Sequence, residues 1–167
     1  PAQAFTFATD VCSDPGTPES IKRTALIWLG RIHFDAEEYD EALNCFESTV
    51  KFGGNAGAES QFMISKIKYN LGDYDGAESN IFTLVSDFSS YDEWKFKGFL
   101  LLVRTYIGLN DLFQARATAE SIMENVNVEW VQNACSDLMM EIEAMEGSEL
   151  NGTDLIETGT QNEVNDK

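Results

Sequence analysis

His33 is the only histidine of this chain, and with Cys12, Cys45 and Cys135 it makes up the side chains best suited to nucleophilic, proton-transfer or metal chemistry. Catalytic triads and most zinc sites need a histidine with partners at fixed spacing, and none accompanies His33. Its position reads as packing. The cysteines are odd in number and scattered, a pattern of neither a disulfide framework nor a metal knuckle. They read as small core or surface residues. Asp35, Glu37, Glu38, Asp40 and Glu41 gather carboxylates as a calcium loop does, but they lack its alternating ligand spacing and its glycine. Gly53-Gly54 is followed by Asn55-Ala56, where a phosphate-binding loop needs Lys-Ser or Lys-Thr. Two carboxylates facing each other across a cleft, as glycoside hydrolysis requires, leave no local signature. The reading is therefore of no enzyme, with no catalytic residue, cofactor or metal.

The elements that carry these residues repeat. Tyr39-x-x-Ala42-x-x-x-Phe46 returns as Tyr74-x-x-Ala77-x-x-x-Ile81 and as Leu112-x-x-Ala115-x-x-x-Ala119, with alanine steps of 77 − 42 = 35 and 115 − 77 = 38 residues. Such a period predicts stacked helix–turn–helix units, none of which can bury its apolar face alone. The first unit pairs a helix over 18–34, whose Ala25, Trp28, Leu29 and Ile32 share an apolar face, with one over 39–52. Thr17 is the expected N-cap, Pro18 the first helical residue and Gly53-Gly54 the C-terminal stop. The second unit covers 58–70 and 74–86, and the third 91–108 and 112–125. A last helix over 128–145 presents Val131, Ala134, Cys135, Leu138, Ile142 and Met145 inward and Glu129, Asn133, Asp137 and Glu143 outward, as a terminal cap does.

Three segments follow from this. Residues 1–17 are the end of a preceding repeat or an N-terminal extension, 18–145 the stacked units with their cap, and 146–167 a flexible tail. That tail carries six acids against Lys167 and too few apolar residues to offset its ordering entropy. The formal charge of −18 argues against a nucleic-acid partner and against an anionic membrane surface. No apolar run approaches the roughly 20 residues that span a bilayer, which argues against direct membrane insertion.

The repeating residues resemble the tetratricopeptide repeat. Leu26-x-x-Leu29-Gly30-x-x-His33 stands where that motif has Trp-x-x-Leu-Gly-x-x-Tyr, and Tyr39, Ala42 and Phe46 take its second-helix positions. Gln61, Ile64, Ser65 and Lys68 lead to Tyr74, Ala77 and Ile81, and Phe99, Leu102, Val103 and Tyr106 lead to Leu112, Ala115 and Ala119. The second unit lacks an aromatic at the tyrosine position, and the closing proline is missing from all three. The resemblance implies an all-α solenoid of about three repeats with a capping helix, working as an interaction scaffold or adaptor. The third unit, Tyr91 to Gly98 and then Asn110 to Thr118, is similar to the last repeat of large cell-envelope tetratricopeptide proteins of Bacteroidota. That likeness implies a periplasmic or outer-membrane-associated accessory protein within a multi-protein complex, with a cytoplasmic location as the alternative.

In that family the first helices of the units line a concave groove, with the fifth, ninth and twelfth positions of each unit pointing into it. Counted from the alanines, the ninth positions are Arg31, Lys66 and Arg104, a cation in every unit of a strongly acidic chain. Ile27, Phe34, Phe62, Tyr69, Leu100 and Ile107 take the other two positions, and Lys97 lies beside them. These ten residues are the candidate groove for a protein or peptide partner, with the cations suited to acidic groups. The alternative is a structural spacer whose cations pair with acids of neighbouring units. A remote alternative is the non-catalytic part of an enzyme.

Overall fold

In this computed structural model the backbone is described for residues 2–159 and the side chains for residues 5–148. Over that span the chain is all-α. Its helices are α1 (Ala2–Ser13), α2 (Glu19–Asp35), α3 (Tyr39–Val50), α4 (Gly54–Asn70), α5 (Tyr74–Asp87), α6 (Asp92–Gly108), α7 (Leu112–Asn125) and α8 (Glu129–Gly159). Each helix packs against the one before and the one after it, and the even-numbered helices also touch in the order α2–α4–α6–α8. Among the described residues, no two helices further apart than that are in contact.

Three turns share one construction. The second residue after the helix end takes a left-handed φ at Glu37 (60°), Gly72 (74°) and Asn110 (57°). Its N–H donates to the carbonyl of Phe34, Tyr69 and Ile107 respectively, at 2.9–3.0 Å. The next N–H, of Glu38, Asp73 or Asp111, reaches back to the carbonyl of His33, Lys68 or Tyr106, also at 2.9–3.0 Å. These bonds satisfy carbonyls that a helix C-terminus leaves open and reverse the chain in the fewest residues. Asp73 and Asp111 then cap the following helices, accepting from the N–H of Gly76 and Gln114 at 3.0 Å. Glu38 caps nothing, because its carboxylate lies 2.6 Å from Nδ1 of His33.

The core follows the repeated residues. Ala42, Phe46, Ala77, Ile81, Ala115 and Ala119 have no exposed surface, and Leu29, Ile64 and Leu102 are buried beside them. At Gly30 even a Cβ would come within 2.7 Å of the Phe46 ring, so the glycine lets α2 and α3 close on each other. On α8, Val131, Cys135, Leu138 and Ile142 are buried, while Glu129, Asn133, Asp137 and Glu143 are exposed.

Four expectations need correction. Pro18, not Thr17, stands at the α2 boundary and has no side-chain group with which to cap it, while the Thr17 hydroxyl donates to Asp14 at 3.3 Å. Gly53-Gly54 starts α4 rather than only closing α3. Both glycines have positive φ (63° and 64°), and they swing the chain at once into a helix whose Gly57 sits under the Phe88 ring. Trp28 and Ile32 are exposed rather than core, because α1 covers the Ala25–Leu29 side of α2 and no helix among the described residues covers theirs. Finally, α8 runs on to Gly159 past the boundary expected at Met145, and Glu146 on its next turn accepts from Arg116 Nε of α7 at 3.2 Å. The remainder of the expected tail, 160–167, lies outside the described residues.

The left-handed turn predicts a clean mutational effect. Gly72 has nothing within 4 Å of an added Cβ, so Gly72→Ala meets only the backbone penalty. A loss of about 1 kcal/mol in chemical denaturation is expected, and a fall of about 2–4 °C in Tm.

Candidate functional site

The ten groove residues all lie on α2, α4 and α6, the helices that form one row with α8. None belongs to the core. Arg104 is exposed and the other nine are half-buried. The structure nonetheless gives the three ladder cations different partners. Arg31 reaches from α2 to α4, where its Nε donates to Glu59 Oε1 at 2.6 Å and its Nη2 donates to the same oxygen. Arg104 reaches from α6 to α8, with Nη1 3.9 Å from Glu141 Oε2. Lys66 has no carboxylate in ion-pair range among the described residues, and its ammonium lies 5.1 Å from the centroid of the Phe34 ring.

The apolar members divide as well. Phe34 leans on Tyr39 (centroids 5.8 Å apart) and Tyr69 leans on Tyr74 (5.6 Å), so each closes its own hairpin. Phe62 faces Trp94 at 5.7 Å, and Lys97 stands 4.1 Å over that indole while also bonding Glu93 at 2.7 Å. Leu100 and Ile107 pack onto the core between α6, α7 and α8. Ile27 is half-buried on α2. Two rings each carrying a cation, Phe34 with Lys66 and Trp94 with Lys97, are thus the surface that remains. Cation–π placement of this kind holds an ammonium in place while leaving it able to meet a carboxylate.

Sequence reasoning missed Glu59 and Trp94. Glu59 stands out because its side chain is 7% exposed, and a carboxylate is rarely buried without a partner. A glutamate on the apolar side of an amphipathic helix was the available signal. Trp94 is the other, and its indole N–H donates to Asn55 Oδ1 at 3.0 Å, tying the start of α6 to the start of α4.

The side chains singled out for chemistry are engaged structurally. His33 sets its ring edge against Phe5 at 5.5 Å and faces Glu38. Burial pushes the thiols of Cys12, Cys45 and Cys135 above their ordinary value, which disfavours the nucleophilic thiolate. Cys12 and Cys45 pack on the same cluster, yet no α1 and α3 residues have Cα atoms within 8 Å, beyond the reach of a disulfide. Among the described residues no group of three His, Cys, Asp or Glu side chains could hold a metal, and no helix is long and apolar enough to cross a membrane. Neither a scan against protein-family models nor a search of curated proteins finds a match to this chain.

Two predictions follow from the polar contacts. Arg31→Ala orphans the buried Glu59 carboxylate, which costs about 1–3 kcal/mol. The lower end is expected because the Arg31 side chain is 43% exposed. The double variant Arg31→Met/Glu59→Thr recovers most of that loss in the same denaturation experiment. Tyr106 donates its phenol to Glu78 Oε1 at 2.6 Å, and burial, with that carboxylate next, pushes its pKa from 10.0 up to about 12. The neutral phenol is favoured in the folded state, so its contribution is complete below about pH 10 and is lost as pH rises from there to about 12. Ultraviolet titration should show a late tyrosinate step that disappears in Tyr106→Phe, along with the corresponding slope in stability.

Proposed function

We propose that this chain is a tetratricopeptide-type α-solenoid of about three repeats that serves as a protein–protein interaction scaffold or adaptor. The repeated turns at Glu37, Gly72 and Asn110 and the sealed alanines at Ala42, Ala77 and Ala115 support the repeat architecture. Contacts limited to nearest and next-nearest helices support an open stack that presents one row of helices along its length. The observation that carries the functional reading is the half-buried surface of that row, where Lys66 stands over Phe34 and Lys97 over Trp94. A peptide with carboxylates spaced between apolar side chains suits it. An envelope-associated location, periplasmic or at the outer membrane, rests on the likeness of the third unit, with a cytoplasmic setting as the alternative.

A structural spacer within a larger complex is the second reading. It is favoured by Arg31 and Arg104, whose guanidinium groups are directed to Glu59 and Glu141 of the next helix in the row. Lys66→Glu combined with Lys97→Glu separates the two readings, because Lys66 has no acid to abandon and Lys97 only the exposed Glu93. In a pull-down from the native cells, loss of the co-purifying partner at unchanged Tm supports the groove. Full retention of the partner supports the spacer.

A further inference from the structure

The exposed apolar surface is unevenly distributed. Of the twelve large hydrophobic residues exposed among the described residues, Phe5, Phe7, Ile21, Trp28 and Ile32 lie on α1 and α2. Trp28 and Ile32 are 57% and 37% exposed, while Met63, the second-unit match of Trp28, is half-buried and the other matching positions are buried. Ile67, 35 residues after Ile32, and Thr105, a further 38 on, have no exposed surface, and Leu101, the third-unit match of Trp28, is 7% exposed. In α4 that face packs on α3, Ile67 meeting Ala42 and Phe46, and in α6 it packs on α5, Leu101 meeting Ile81. On α2 the same face is open, and with α1 it forms an apolar cleft of about 380 Å³ floored by Ala8, Thr24 and Ala25 and walled by Phe7, Trp28 and Ile32.

The pattern on α2 is self-complementary. Ile21 and Ile32 are placed symmetrically about the point between residues 26 and 27, and so are Ala25 and Trp28. A second α2 laid antiparallel about that point sets each isoleucine against its counterpart and each Trp28 over the other copy's Ala25, a large side chain into a small one's space. Such pairing of one patch with itself is what a two-fold interface demands. Charge permits it. Residues 1–34 hold Asp10, Asp14 and Glu19 against Lys22, Arg23 and Arg31, so the whole formal charge of −18 falls on residues 35–167. Two such acidic chains can meet across this segment without strong repulsion. Arg31 is turned toward Glu59 and lies 5.7 Å over one face of Trp28, which leaves the rest of the indole open.

We infer that the α1–α2 face is a homodimer interface, in which α2 crosses α2 of a second copy and Trp28 of each enters the cleft of the other. This inference does not rest on the groove formed by α2, α4 and α6. Sedimentation velocity over roughly 1 to 100 µM tests it, a range that spans micromolar dissociation constants. The wild type should pass from 18.6 kDa to twice that mass. Ile21→Lys and Ile32→Glu should each stay monomeric with an unchanged circular dichroism spectrum, and their mixture should recover the dimer through the opposed charges. A wild type that is monomeric throughout the range overturns the inference, including where Trp28 then captures a different helical protein. A dimer that survives Trp28→Glu places the interface elsewhere and overturns it equally.

Discussion

The tight reversal at Glu37, Gly72 and Asn110 is the constraint on which the rest of the molecule depends. One left-handed residue and two backbone hydrogen bonds fix how far each helix pair slides before it packs. Because that offset is the same each time, Ala42, Ala77 and Ala115 fall at the same point of close approach, and small side chains there admit the neighbouring helix. The aromatic contacts beside the turn, Phe34 with Tyr39 and Tyr69 with Tyr74, obey the same offset, and the third unit puts Ile107 and Leu112 at those positions. The glutamate at Glu37 is the weakest member, since a Cβ in the left-handed region is disfavoured where Gly72 meets no such cost.

The charge of the chain is arranged rather than merely large. Among the described residues six cations hold acids directly: Arg31, Lys68, Lys95, Lys97, Arg104 and Arg116. Each exposed pair contributes little by itself. Their common effect is to use positive charge at helix joints, as Lys68 does beside Asp73 at the turn before α5 and Arg116 does between α7 and α8. Lys68, and after it the Gly76 N–H, holds the Asp73 carboxyl below its usual range, and Arg116 does the same for Glu146. What remains outward is strongly acidic, so any surface able to attract a carboxylate must be local. Lys66 is such a place because Phe34, not an acid, receives it.

Much of this fold is legible in the sequence, and the illegible parts have physical causes. The alanine cadence marks the buried second-helix positions because close packing tolerates only small side chains there. Periodicity gives the apolar faces of a helix but not which of them its own chain covers, so Trp28 and Ile32 look like core until α1 is seen to pack on Ala25 and Leu29 instead. A glycine pair with positive φ serves the end of one helix and the start of the next equally well, which is why Gly53-Gly54 misleads about where α4 begins. Register places Arg31, Lys66 and Arg104 in equivalent positions, yet their partners depend on the facing helix, and only α4 offers a buried glutamate.

The two ends of the row differ in kind, and that difference bears on how such a molecule can assemble. At one end α2 exposes apolar side chains in a segment with no net charge. At the other, α8 turns Glu129, Asn133, Asp137 and Glu143 outward. Contacts that place unlike ends together are the ones that propagate into filaments, whereas a patch that meets itself closes after two copies. Pairing of two copies through the α1–α2 face would therefore close after two chains and leave the α4–α6 surface of each copy free for a different protein.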